Sequence, residues 1–85
     1  MPFKIDLTPR ARRELSELQP RDRRRVAAHI DAPADDPFSP GSVQLRGGDG
    51  ERRIRVGDYR VIYLVDGQRV LVTITRVGHR REIYR

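Results

Sequence analysis

The fold is decided by one stretch in the second half of the chain, residues 51–66, which reads ERRIRVGDYRVIYLVD. Residues 51–56 alternate polar and apolar side chains, the pattern of a strand with one buried face. Gly57 and Asp58 are typical of a two-residue hairpin turn. The apolar run over residues 59–65 predicts a buried strand that follows this turn. The stretch therefore predicts an antiparallel hairpin.

A third strand and a short tail follow this hairpin. Residues 66–68 (Asp-Gly-Gln) are typical of a tight turn, and residues 70–77 are rich in β-branched side chains. We expect Gly78 to end the third strand and to leave a tail over residues 79–85.

The first half of the chain predicts a strand and two helices. Phe3 to Leu7 alternates apolar and polar residues, as a half-buried strand does. Thr8 and Pro9 are typical of a helix N-cap and first helical position. The apolar stripe of this helix consists of Ala11, Leu15 and Leu18.

A second helix is expected to begin at Pro20, with Val26, Ala27 and Ile30 facing inward. The arginine-rich run 21–25 is interpreted as a solvated helix face, with partner binding as the alternative. Pro33 predicts that this helix ends early or kinks. Residues 33–41 and 46–50, rich in Pro, Gly and Asp, predict loops.

These elements form one domain over residues 1–85 with the order strand, helix, helix and three-stranded meander. The simplest packing places both N-terminal helices on one face of a small antiparallel sheet. The predicted fold class is therefore α+β (β-α-α-β-β-β) with a short C-terminal tail.

The charge of the chain is unevenly distributed. It carries 18 basic and 12 acidic side chains, a net charge of +6, and 17 of the basic residues are arginine. Residues 1–42 hold eight basic and seven acidic side chains, whereas residues 43–85 hold ten and five. A basic excess confined to one half of the chain favours a polyanionic partner.

Composition also narrows the chemistry that we expect. The chain has no cysteine and two histidines far apart in sequence, so we expect neither a thiolate nucleophile nor a metal site, and no cofactor. The N-terminal residues hold no apolar stretch long enough for a signal peptide, which favours a cytoplasmic location.

Several basic residues are expected on the open face of the sheet. Alternation places Arg53 and Arg55 on the face opposite to the buried aliphatic residues, with Arg60 at the same end of the hairpin. The tail would bring further candidates to this site, namely His79, Arg80, Arg81 and Tyr84. Guanidinium groups pair with phosphate oxygens, and a phenol or imidazole transfers protons. These residue types suit cleavage of RNA through its own 2′-hydroxyl, without a metal ion.

Two segments carry a resemblance to a known family. RIRVGDYRVIY, residues 53–63, and VGHRREIYR, residues 77–85, resemble the signature of the RelE/ParE toxin superfamily, and more closely its RelE-like branch of mRNA interferases. The resemblance covers essentially the whole chain and implies the same order of elements. It implies a toxin of a type II toxin–antitoxin system, an endoribonuclease that cleaves mRNA on the ribosome and inhibits translation. Its implied partners are a cognate antitoxin, the ribosome and mRNA.

The resemblance also implies roles for individual residues. Arg60 matches a position assigned to transition-state stabilisation, and Arg80 a general acid or phosphate stabiliser. Tyr84 matches a proposed general base, and His79 is its alternative in proton transfer. The residues expected to bind substrate RNA are Arg53, Arg55 and Arg81.

The same superfamily includes ParE-like inhibitors of DNA gyrase, which act by binding and have no RNase site. This is the alternative function. The His79-Arg80 pair with Tyr84 argues against it, because ParE-like members typically lack such a tail.

Overall fold

The computed structural model describes residues 3–38, 42–44 and 50–79. In chain order, its elements are β1 (Lys4–Leu7), α1 (Pro9–Ser16), α2 (Pro20–Ile30), α3 (Ala32–Asp35), β2 (Ser42–Gln44), β3 (Arg52–Val56), β4 (Tyr59–Asp66) and β5 (Leu71–His79).

The strands form one five-stranded sheet in the order β1-β5-β4-β3-β2. The predicted meander of β3, β4 and β5 is confirmed, and its neighbouring strands are antiparallel. β1 pairs with β5 in parallel, from Lys4 opposite Leu71 to Leu7 opposite Ile74, so the sheet is mixed rather than purely antiparallel. α1 and α2 connect β1 to the meander, and a connection through helices is what parallel pairing requires.

The N-terminus of α1 follows from its sequence. Thr8 Oγ1 accepts a hydrogen bond from the backbone N–H of Ala11 (3.1 Å), and Pro9 occupies the first helical position. Ala11 is fully buried, whereas Leu15 and Leu18 are half-buried against the same core. The predicted apolar stripe is therefore the face that packs on the sheet.

α2 begins at the predicted Pro20 and ends at Ile30, before Pro33. Val26 and Ile30 are buried as expected, but Ala27 is exposed because it lies about 100° around the helix from Val26. The early end of this helix is confirmed. The short helix α3, which contains Pro33, was not predicted.

The core lies between the two helices and one face of the sheet. Tyr63 is its largest fully buried side chain, and its hydroxyl donates to the carbonyl of Pro37 (2.7 Å). The other buried members are Ala11, Val26, Ile30, Ile54, Val56, Val61, Val72, Ile74 and Val77. Both predicted helices thus cover one face of the sheet and leave the other face open.

Two sequence predictions about β5 are wrong. The strand begins at Leu71 because Val70 has a positive φ of 53° and belongs to the preceding loop. Gly78 does not end the strand, which pairs with β4 through His79. A glycine leaves backbone hydrogen bonding intact, and Gly78 lies opposite Arg60 within the ladder.

β2 was also missed, because its three residues are too short to show alternation and lie in a stretch predicted to be loop. It pairs with β3 and forms the edge of the sheet. No helix within the described part of the chain is long and apolar enough to cross a membrane.

Candidate nucleic-acid interface

Arg53, Arg55 and Arg60 are brought together on the open face of the sheet. Arg55 lies directly opposite Arg60 in the β3–β4 ladder, and Arg53 lies two residues further along β3. The three side chains and Val43 of β2 line one cavity of about 220 Å³, which we name the arginine recess. The adjacent Ile54 is buried on the helix-covered face, as alternation requires.

The hairpin turn holds this geometry. Gly57 is the first of its two residues and has a φ of 61°, which suits the type II′ turn of a two-residue hairpin. The Nε of Arg55 donates to the carbonyl of Gly57 (3.1 Å), which fixes an otherwise exposed side chain beside the turn. The guanidinium of Arg25 from α2 lies close behind Gly57, about 3.0 Å from where a Cβ would stand.

Arg60 is nearly buried, with 9% of its surface exposed. Its Nη1 donates to the carbonyl of Tyr59 (3.2 Å). Within residues 3–38, 42–44 and 50–79, no carboxylate forms an ion pair with Arg60 or Arg55. The alternative to a role in RNA binding is an ion pair of Arg60 with Asp58 or Glu82. The pair with Asp58 is not formed, and Glu82 lies outside the described ranges. Two closely spaced guanidinium groups give the recess a strong positive potential.

His79 lies on the opposite face of the sheet from Arg60. It pairs with Tyr59, and their rings meet edge to face with centroids 5.8 Å apart. Tyr59 is on the helix side, since its hydroxyl donates to Asp22 of α2 (3.0 Å). His79 thus lines a separate cleft of about 350 Å³ together with Glu14, Glu17 and Leu18 of the α1 region.

A β-bulge explains the position of His79. Ile62 pairs with Arg76 and Tyr63 pairs with Ile74, so Thr75 is an extra residue in β5. An extra residue shifts the alternation of all that follows it. Without the bulge, His79 would share the open face with Arg60.

The remaining predicted site residues lie outside the described ranges. They are Arg80, Arg81 and Tyr84. Within the ranges that are described, no group of three or more His, Asp or Glu side chains is arranged to hold a metal ion.

Two residues near these cavities were not predicted from sequence. Val43 had no sequence signal, because β2 is so short. Glu14 did have a sequence signal, because it lies on the same helix stripe as the apolar residues Ala11, Leu15 and Leu18. A carboxylate on such a stripe indicates a polar partner near the core. That partner is the end of β5, where Glu14 accepts a hydrogen bond from the backbone N–H of Val77 (3.0 Å).

Comparison with known proteins gives consistent matches. The family described as ParE toxin of type II toxin-antitoxin system, parDE, matches residues 5–84. Toxin RelG of Mycobacterium tuberculosis is 36% identical over 89 residues, which cover 100% of this chain and 99% of RelG.

Solved structures share the fold. A chain of the toxin–antitoxin complex RelBE2 from Mycobacterium tuberculosis matches with a TM-score of 0.83 and 31% identity, covering 94% of this chain and 100% of that one. The isolated RelE toxin of E. coli matches with a TM-score of 0.80 and 26% identity, covering 96% of this chain and 90% of that one.

Proposed function

This chain belongs to the RelE/ParE superfamily of type II toxin–antitoxin toxins, and from that premise we propose that it is a ribosome-dependent endoribonuclease of the cytoplasm. The observation that carries the proposal is the arginine recess, where Arg60 is nearly buried without an acidic partner among the described residues. A buried charge is costly unless it is paired. A phosphodiester supplies the missing negative charge, and the planar guanidinium suits its oxygens.

The proposed reaction uses the nucleophile that RNA carries. The 2′-hydroxyl next to the scissile phosphate loses its proton to Tyr84, and its oxygen attacks phosphorus. The bond to the 5′-oxygen breaks and a 2′,3′-cyclic phosphate forms. The leaving 5′-oxygen takes a proton from Arg80 acting as the acid, or from water where Arg80 acts as a phosphate ligand. Arg60 stabilises the charge that develops on the phosphorane oxygens.

The other basic residues bind the strand. Arg53 and Arg55 flank Arg60 in the recess, and we propose that they hold neighbouring phosphates together with Arg81. To act as the base, Tyr84 must accept a proton as a phenolate, the form that the positive charge of a phosphate-binding site favours. His79 is the alternative base, although its placement on the helix side favours Tyr84.

A cognate antitoxin is the proposed protein partner. The similar Mycobacterium tuberculosis structure is that of a toxin–antitoxin complex. The positive potential of the recess favours an acidic or amphipathic antitoxin segment that covers it and excludes RNA.

Cleavage of mRNA on programmed ribosomes tests the proposal. Purified wild-type chain is expected to cut mRNA in the ribosomal A site, whereas Arg60→Ala, Arg80→Ala and Tyr84→Phe should lose cleavage and keep the fold. Arg69→Ala is the matched control, because Arg69 is exposed in the loop between β4 and β5. Wild-type protein that arrests growth but cuts no mRNA on ribosomes would refute the proposal.

A second candidate function is inhibition of DNA gyrase. It is favoured by one observation, namely that the matched family is described as ParE toxin. A supercoiling assay with purified gyrase separates the two functions. Inhibition of supercoiling at protein concentrations that leave mRNA intact on ribosomes would favour the gyrase function over the RNase.

A further inference from the structure

The outer edge of β5 loses its strand partner before the strand ends. β1 pairs with β5 only as far as Leu7 opposite Ile74, and the backbone N–H of Thr8 then donates to the carbonyl of Ile74 (2.9 Å). Beyond Ile74, the side chains of Thr8 and of Glu14 in α1 reach the backbone of β5 at Thr75 and Val77. Side chains must therefore satisfy backbone groups that a strand would otherwise pair.

Glu14 of α1 takes over part of that pairing. Its Oε1 accepts the backbone N–H of Val77 (3.0 Å), and its Oε2 accepts from Nη2 of Arg76 (3.2 Å). The Glu14 side chain is 20% exposed, so these charge-assisted hydrogen bonds are partly shielded from water. Arg10, one turn earlier, lies 3.8 Å from the same carboxylate.

The bulge beside Glu14 is fixed by two further contacts. Thr8 Oγ1 donates to the carbonyl of Thr75 (3.3 Å), and Thr75 Oγ1 donates to the carbonyl of Ile62 (3.2 Å). These contacts hold the shifted alternation of β5 at its start. Glu14 holds the same strand two residues later, at Val77.

The ion pair between Glu14 and Arg76 also determines where the Arg76 guanidinium lies. Arg76 lies opposite Ile62, and alternation along β4 places Ile62 on the same face as Arg60. Its guanidinium is nevertheless held at the outer edge by Glu14. The ion pair keeps a further arginine out of the open face.

We propose that Glu14 is a positioning residue, which fixes the last residues of β5, Val77 to His79, and so the point from which the chain continues to the catalytic candidates Arg80 and Tyr84. This inference rests on the proposed RNase function for its catalytic consequence. Its structural consequence, the dependence of Val77, Gly78 and His79 on the bond between Glu14 and Val77, is measurable without any activity.

Two variants of Glu14 isolate the bond. Glu14→Ala removes the acceptor for the N–H of Val77, whereas Glu14→Gln keeps a carbonyl oxygen at the same reach and loses the charge. Glu17→Ala is the matched control, because Glu17 is an exposed neighbour that lines the same cleft.

The first readout is the backbone amide spectrum and hydrogen exchange of the full chain. In Glu14→Ala we expect faster exchange at Val77 and displaced amide signals at Gly78 and His79. Glu14→Gln and Glu17→Ala should leave these signals close to those of the wild type. Unchanged signals at Gly78 and His79 in Glu14→Ala would overturn the proposal, whatever the activity of the protein.

The second readout is single-site cleavage of mRNA on ribosomes. A misplacement of catalytic groups by about 1 Å lowers rates by up to ~10²-fold, so we expect kcat to fall about tenfold to a hundredfold in Glu14→Ala. KM for the mRNA should not rise in Glu14→Ala, because Arg76 is released from its ion pair and adds positive charge to the open face. Glu14→Gln should recover kcat to within about threefold of the wild type.

The outcomes separate the two proposals. Wild-type protein that cuts no RNA rejects the RNase function, while the amide signals still decide whether Glu14 positions the end of β5. Glu14→Ala with wild-type kcat, or Glu14→Gln with the same loss as Glu14→Ala, would overturn the positioning role in an active enzyme. If Glu14→Ala does not fold, Glu14→Asp replaces it, because aspartate keeps the charge but shortens the reach to the N–H of Val77. Wild-type amide signals at Val77 to His79 in Glu14→Asp would overturn the role.

Discussion

Arg55 and Arg60 lie directly opposite each other on β3 and β4, so two positive side chains meet across one strand pair. Like charges at opposed positions destabilise a sheet by roughly 0.2–1 kcal/mol. Arg60 adds the cost of holding a guanidinium at 9% exposure. An anion bound in the arginine recess offsets both costs, which is why we connect this pair with a polyanionic substrate.

Replacing Arg60 with an uncharged residue of similar length should separate stability from activity. In Arg60→Met we expect the free energy of unfolding to rise by about 0.5–1 kcal/mol, because the opposed charges are removed. Cleavage on ribosomes should fall by at least ~10²-fold, since the stabilising charge is lost. Urea denaturation followed by circular dichroism, set beside the cleavage assay, measures both. Arg69→Met is the control. A lower free energy of unfolding in Arg60→Met than in the wild type would contradict the finding that Arg60 has no acidic partner among the described residues.

The salt dependence of RNA binding reports how many phosphates the recess contacts. A single-stranded RNA with a 2′-deoxy group at the cleavage position allows binding to be measured without turnover. Each neutralised phosphate of a single strand contributes about −0.7 to the slope of log K against log salt. We expect Arg55→Gln to reduce the slope by about that amount. Arg12→Gln, an exposed change on α1, should leave the slope unaltered; equal effects of both variants would argue against a defined recess.

Gly57 is required at the hairpin turn for two reasons. Its φ of 61° is unfavourable for residues with a Cβ, and a Cβ there would stand about 3.0 Å from the Arg25 guanidinium. We expect Gly57→Ala to lower the free energy of unfolding by about 1–2 kcal/mol. Gly67→Ala is the matched control, because nothing lies within 4 Å of its Cβ position and its φ is ordinary. Similar midpoints for the two variants in urea denaturation would contradict this account.

Much of the fold was predictable because its signals are local. Alternation and the Gly-Asp turn predict β3 and β4, and Thr8 with Pro9 predicts the start of α1. The parallel pairing of β1 with β5 was not predictable in this way, since it joins residues more than 60 positions apart. The candidate site was also predictable in part. The shared face of Arg53, Arg55 and Arg60 follows from alternation within one hairpin.

The position of His79 depends on longer-range contacts. It follows from the bulge at Thr75, and that bulge is held by Thr8 from one side and by Ile62 from the other. Neither contact leaves a periodic pattern in the sequence. A single inserted residue therefore transfers His79 to the helix side. The sequence contains one sign of it, because two adjacent polar residues, Thr75 and Arg76, interrupt the alternation between Ile74 and Val77.

Val70 carries strain that a substitution can relieve. Its φ of 53° is a rare conformation for a β-branched residue, and its carbonyl is held there by the backbone N–H of Lys4 (2.9 Å). Asparagine tolerates this conformation better, so Val70→Asn should raise the free energy of unfolding by about 1 kcal/mol. Val43→Asn is the control, since Val43 is similarly exposed but has a negative φ. Thermal and urea denaturation measure the difference, and equal changes in both variants would show that the φ of Val70 carries no cost.

The placement of His79 makes a final prediction about which group accepts the proton of the 2′-hydroxyl. His79 lies beside Tyr59 on the helix side of the sheet, whereas Arg60 lies on the open face. We therefore expect His79→Gln to cleave mRNA on ribosomes within about threefold of the wild-type kcat. Tyr84→Phe should lose about 10²–10⁴-fold, the usual cost of removing a general base. Circular dichroism checks that both variants fold. A loss of 10²-fold or more in His79→Gln with Tyr84→Phe unaffected would transfer the role to His79, and would require the end of β5 to move so that its imidazole reaches the arginine recess.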